Sequence, residues 1–151
     1  MTLEPVGAEL KAGTIARHRL QLMFEEAASR VAAELGWARR SATSDRYAMY
    51  VTMKDHDGRE VAGLAYSDLQ GDSAVWLNRE GFGASEVSST LKGAMPDFVS
   101  AGGDRFWGCP YVPLVSLDAD FFQLRAEEQL GRIEGRVREV LAAVLVVEKA
   151  I

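Results

Sequence analysis

Apolar residues recur at Leu20, Phe24, Ala27/Ala28, Val31 and Leu35, the three-to-four spacing of one buried helix face. The stretch opens after Gly13 and Thr14 and stops at Gly36, while Arg17, Arg19, Glu25, Glu26 and Arg30 fall on the opposite side. A loop over 38–45 with Arg39 and Arg40 follows, and then the period changes to two. Across 46–54, Tyr47, Met49, Val51 and Met53 alternate with Ala48, Tyr50 and Thr52, which predicts a strand. Asp55-His56-Asp57-Gly58 holds an Asp-Gly pair, a hairpin signal because both residues tolerate positive φ. The return strand is predicted over 60–67. A second turn at Gln70-Gly71-Asp72-Ser73 leads to a third strand over 74–78. This antiparallel meander needs a cover on one face, and the first helix is the nearest candidate.

A glycine-punctuated loop, Glu80 to Ala84, precedes Ser85, which can cap a helix running to about Met95 before Pro96. The piece 105–114 is extended and aromatic, and Pro110 and Pro113 confine it to a sheet edge or a loop. The expected fold is α+β: one domain over 1–151, with an antiparallel three- to four-stranded sheet packed by an N-terminal helix and a long C-terminal helix.

The C-terminal helix is predicted over 117–149, capped by Ser116, with Asp118 and Asp120 in its first turn. From Ala126 its apolar positions step by four and three through Leu130, Ile133, Val137, Val140, Val144, Val147 and Ile151. Unbroken, such a helix would measure about 50 Å, against roughly 40 Å for the diameter of a domain this size. Bending at Gly131 or Gly135, or an overhang, would reconcile the two. An overhanging stripe would seek a second copy of the chain, with Leu130, Ile133, Val137, Val140, Val144 and Val147 as the homodimer seam. Leu141 and Leu145 widen the face beyond a coiled-coil seam, which fits packing on the chain's own sheet instead. Both alternatives stand on the sequence.

Charge narrows the partners. Residues 1–54 carry eight Lys/Arg against six Asp/Glu, 55–123 carry four against eleven, and 124–151 carry five of each. An acidic middle disfavours nucleic acid and suits a basic protein surface, besides keeping a small domain in solution. Met1 to Gly13 has neither the basic start nor the apolar core of a signal peptide. The longest apolar run, Leu141 to Val147, is far short of the ~20 residues of a membrane helix. The expectation is a soluble chain that does not enter the membrane. Cys109 is the only cysteine, which excludes a disulfide framework and suits the reducing cytoplasm.

Candidate chemistry is sparse. Cys109-Pro110-Tyr111-Val112 is similar to the Cys-Pro-Tyr-Cys of dithiol oxidoreductases, but Val112 replaces the second cysteine. The Asp55–Gly58 turn lacks the further oxygen ligands of a calcium loop. His18 and His56 are the only histidines, and no nucleophile elbow, phosphate loop or dinucleotide fingerprint is present. No metal, cofactor or catalytic residue is expected.

The element order is similar to that of the restriction-endonuclease-like core, which places an acid on the second strand and an acid-x-lysine on the third. The third strand here, Ala74-Val75-Trp76-Leu77-Asn78-Arg79-Glu80, has no acid-x-lysine. The same order, with an acidic pI and small size, is similar to that of secretion chaperones that dimerise and hold a partner chain on their sheets. No motif accompanies either similarity, and no family is assigned.

Aromatic residues (Phe82, Phe98, Phe106, Trp107, Tyr111, Phe121 and Phe122) concentrate between 81 and 122. Aromatics on loops beside carboxylates compose interface hot spots, and they also fill gaps between a sheet and a helix. The expected function is a non-enzymatic protein-binding module of inhibitor, immunity, chaperone or adaptor type. Its partner would be met by Asp68, Asp72, Trp76, Glu80, Phe82, Trp107 and Tyr111. The alternative is a metal-dependent enzyme or a degenerate nuclease-like domain, with Asp57, Glu60, Asp68 and Glu80 as its candidate residues.

Overall fold

The first helix, α1 (Thr14–Leu35), buries the predicted stripe: Leu20, Met23, Phe24, Ala27, Ala28, Val31 and Ala32 lie in the core. Gly36, at φ +71°, ends it. The Trp37 N–H reaches the Ala32 carbonyl at 2.7 Å and the Gly36 N–H reaches Ala33 at 3.3 Å, the paired bonds of a Schellman stop. The structure, a computed structural model, describes residues 3–11, 14–39, 43–44, 48–67, 72–78, 85–99 and 109–150.

Four antiparallel strands form the main sheet in the order β3 (Ala48–Lys54), β4 (Glu60–Ser67), β5 (Asp72–Leu77) and β6 (Tyr111–Pro113). Two short strands, β1 (Ala38–Arg39) and β2 (Thr43–Ser44), pair with opposite ends of β3. The β3–β4 turn is built by Asp55. One of its carboxylate oxygens accepts the Asp57 and Arg59 N–H groups at 2.9 and 3.0 Å, and the other accepts the Arg59 guanidinium. Gly58 supplies the positive φ of +81°. The third strand starts at Asp72, two residues earlier than expected, because Ser67 and Asp72 still pair across β4 and β5.

The meander has two apolar faces rather than one. Met49, Val51, Met53, Leu64, Tyr66, Val75, Leu77 and Val112 join the helices in the main core. On the other side Ala65, Ala74, Trp76 and Tyr111 form a second cluster with Tyr50, Val99 and Cys109 around it. Every residue from Val61 to Ser67 and from Ser73 to Leu77 is buried. Strict in–out polarity fails because the second face carries Gly63, Ala65, Ala74 and Trp76 where a half-solvated sheet would carry polar side chains. Trp76 pairs with Gly63 in register, and a Cβ on Gly63 would lie 2.5 Å from the indole ring. Glycine is required there for the indole to cross the strand.

Helix α2 (Ser85–Ala94) ends before Pro96 as predicted. The single helix expected over 117–149 is instead two. Asp118, not Ser116, caps a short helix α3 (Ala119–Phe122) by accepting the Phe121 N–H at 3.1 Å. After a break, α4 (Ala126–Ala150) begins with the Glu128 carboxylate reaching back to the Arg125 N–H. The break is held by Gln129, which is fully buried. Its amide donates to the Phe121 and Val6 carbonyls at 2.9 and 2.7 Å and accepts the Val6 N–H at 2.8 Å. One side-chain amide thereby pins the N-terminal segment to the start of α4.

The 25 residues of α4 span about 37 Å at 1.5 Å per residue, within the diameter of such a domain. Its helical turns run on through Gly131 and Gly135, both exposed. Leu130, Ile133, Val137, Val140, Leu141 and Val144 all lie in the main core with α1 and the sheet. The face read as a possible homodimer seam is therefore occupied by the chain itself from Leu130 to Val144. The broad face that Leu141 creates is the physical reason. The Val147 side chain lies outside the described residues. Along the outer edge of the α1–α4 seam runs a charged ladder: Glu26–Arg30 at 2.8 Å, Arg30–Glu134 at 3.4 Å, Arg138–Glu134 at 2.7 Å and Arg138–Glu34 at 2.6 Å. Among the described residues no helix is long and apolar enough to cross a membrane.

Candidate functional site

The open side of β6 is closed at Tyr111 and at Pro113. Tyr111 exchanges both main-chain hydrogen bonds with Val99, at 2.8 and 2.9 Å. Pro113 has no N–H, and its carbonyl accepts from Arg136 Nε at 3.0 Å. Beyond it the chain stays beside β5 without strand geometry. The Leu114 N–H reaches the Ser73 carbonyl at 3.1 Å, while the Ser73 hydroxyl donates to Val115 O at 3.0 Å and accepts the Val115 N–H at 3.3 Å. A buried serine stands in for a peptide unit, and the segment 114–117 is held against the sheet.

Between this segment and the C-terminal helix lies a cleft of about 380 Å³. Its walls are Asp72 and Ser73 from β5, Tyr111 and Pro113 from β6, Leu114 to Leu117, Asp97 from the turn after α2, and Arg136 from α4. Arg136 is the keystone, 18% exposed, and its fork is spent on three acceptors. Besides Pro113 O it donates to Asp97 Oδ2 at 2.5 Å and to Glu139 Oε1 at 3.0 Å. Asp72 and Asp97 are the carboxylates among the described lining residues, and Arg136 bonds Asp97 within the lining and Glu139 beyond it. Walls held by hydrogen bonds and a mouth open to solvent suit the capture of a group presented from outside.

The structure brings Asp72 and Tyr111 of the predicted partner-binding set to this cleft. Trp76 lies beside Tyr111 in register on the second sheet face. At 7% and 8% exposed, Trp76 and Tyr111 present little surface and mainly pack the chain. Asp68, Glu80, Phe82 and Trp107 lie outside the described residues. Of the alternative metal set, Asp57 is in the exposed β3–β4 turn, 3.7 Å from His56, and Glu60 opens β4. Among the described residues no three His, Cys, Asp or Glu side chains are grouped to hold a metal ion. In the turn itself, burial pushes the Asp55 carboxyl up, but the Arg59 N–H and guanidinium and the Asp57 N–H outweigh it. Its pKa falls below the ordinary value. That carboxylate is committed to the turn. Cys109 is partly buried against the second cluster.

Sequence reasoning missed Asp97, Ser116 and Arg136. Arg136 falls between the core positions Ile133 and Val137 and reads as a solvated flank, while Ser116 reads as a helix cap. The one usable signal is Pro113, an edge residue whose carbonyl needs a donor from elsewhere. Comparison of the chain with family models, curated proteins and solved structures finds no match in any of the three.

Proposed function

We propose that this chain is a non-enzymatic protein-binding module, of the inhibitor, immunity, chaperone or adaptor kind, and that it meets its partner protein at the cleft beside β6. The observation that supports this reading best is the construction of the cleft. Arg136 ties α4 to β6 and to the turn after α2, and Ser73 fixes the opposite wall. A pre-formed recess loses little freedom when a partner side chain enters it. Asp72, already singled out by its place in the acidic middle of the chain, is part of the lining. A cytoplasmic setting belongs to the same proposal, since the one cysteine suits a reducing compartment.

The test is a blocked cleft. Ser116 is exposed and lines the recess, so Ser116→Trp fills it without touching the core. Tagged wild-type and variant chains are compared in affinity capture from host lysate, read by mass spectrometry, with melting curves in parallel. The expected result is a partner protein captured by the wild type and lost by Ser116→Trp at unchanged melting temperature. Equal capture by both chains contradicts the proposal.

A further inference from the structure

We infer that residues 3–11 form a strap that opens as one unit while the rest of the fold stays closed, and that the Gln129 side chain is its latch. This goes beyond the binding-module reading and does not rest on it. The strap contributes no strand to the sheet. Val6 and Leu10, 0% and 3% exposed, seat in the main core, and Leu3 packs partly against it. The Leu10 N–H closes on the Gly7 carbonyl at 3.0 Å, a bond internal to the strap. Arg19 reaches Glu4 at 2.8 Å and Glu9 at 3.4 Å, but both carboxylates are more than half exposed, and such pairs contribute little. The buried polar tie among the described residues is Gln129, which takes both main-chain groups of Val6.

Gln129 is placed as a latch rather than as filling. It is fully buried beside Leu130, where an apolar side chain would cost no desolvation. Its amide spends its bonds on main chain alone, two on Val6 and one on the Phe121 carbonyl. A half-lifted strap would leave a buried amide and a buried peptide group unpaired, which costs more than either end state. The strap is therefore either seated on Gln129 or clear of it, with water on the freed groups. When it is clear, the Phe121 bond still orients the amide, so the strap closes again on a prepared partner. An end segment tied by one amide and a few apolar side chains opens more easily than a helix of 22 residues or a strand paired on both sides.

The experiment is native-state hydrogen exchange on the isotope-labelled full chain, read amide by amide. Val6 and Leu10 should show equal protection, about a hundredfold or more below that of the α1 interior and β4. Their rates should barely respond to denaturant below the unfolding transition, because the opening exposes little surface. The Gln129 side-chain amide should share the protection of Val6, since one opening frees both. Leu10→Ala should speed exchange at Val6 by about tenfold or more, as loosening one part loosens the whole. Protection of Val6 and Leu10 as strong as in β4, or a Val6 rate unmoved by Leu10→Ala, overturns the strap as a separate unit. Exchange of the Gln129 amide independent of Val6, or Val6 exchanging like an unstructured peptide, overturns the latch.

Discussion

Arg138 and Arg136 stand two residues apart on α4 and do opposite things. Arg138 faces α1, where Glu34 and Glu134 saturate it, and the ladder continues through Arg30 to Glu26. Arg136 faces the sheet edge, where it holds a proline carbonyl, a turn carboxylate and Glu139. The first region seals two helices over a continuous apolar interface. The second ties α4 to β6 and to the turn after α2 and has a recess beside it. Similar charged groups therefore close one surface and open the other, and the geometry of the elements decides which.

The largest expected effect lies beneath the sealed region. Val137→Glu with Val144→Glu places two carboxylates in the core, each costing several kcal/mol or titrating to neutrality. Against a total stability of about 5–15 kcal/mol, the double variant should be unfolded by circular dichroism. A folded monomer would instead mean that the stripe joined two copies.

Gly63→Ala comes next, at about 1–3 kcal/mol, because overpacking displaces the Trp76 indole or strand β3. Thermal melting and tryptophan fluorescence should change together. An unshifted melt would show that the second face is loosely packed.

Arg138→Ala should be milder and dependent on pH. The hydrogen bond from Arg138 holds the Glu34 carboxyl below its ordinary 4.5, although burial opposes it, and the Arg125 bond does the same for Glu128. A depressed carboxyl stabilises the fold above its unfolded value and stops doing so as pH falls through its folded value. The Glu34 contribution is thus present at pH 7 and lost in acid, as the pH falls through the lowered folded-state value. Arg138→Ala should lower the melting temperature by a few degrees at pH 7 and by less at pH 3. A deficit that is equal at both pH values would show that the ladder acts by packing alone.

The smallest effect on stability belongs to the cleft: Asp97→Asn weakens a half-exposed ion pair with Arg136 and should cost no more than about 1 kcal/mol by denaturant unfolding. A larger loss would make the recess part of the frame.

The sealed region was largely legible in the sequence and the recess was not. Helix α1, its Gly36 stop and the strand Glu60–Ser67 follow from local periods and turn residues. The ion pairs that edge the sealed region, Glu26–Arg30 and Glu134–Arg138, were not read from the sequence, although each lies within a single helix. The break before α4 depends on Gln129 finding Val6, 123 residues away, and no local pattern carries that bond. The cleft depends on Arg136 meeting Pro113 and Asp97, which are 23 and 39 residues distant. The stripe on α4 was legible as apolar, but not whose surface it covers. That depends on the width of the face, to which Leu141 contributes.

The most direct measurement pairs the two regions in one capture experiment. Ser116→Trp places a ring in the recess, and Ala142→Trp places the same ring on the exposed outer side of α4. A binding module that works through the cleft loses its partner protein only with Ser116→Trp, both variants melting like the wild type. Capture kept by Ser116→Trp, or lost equally by both, contradicts it.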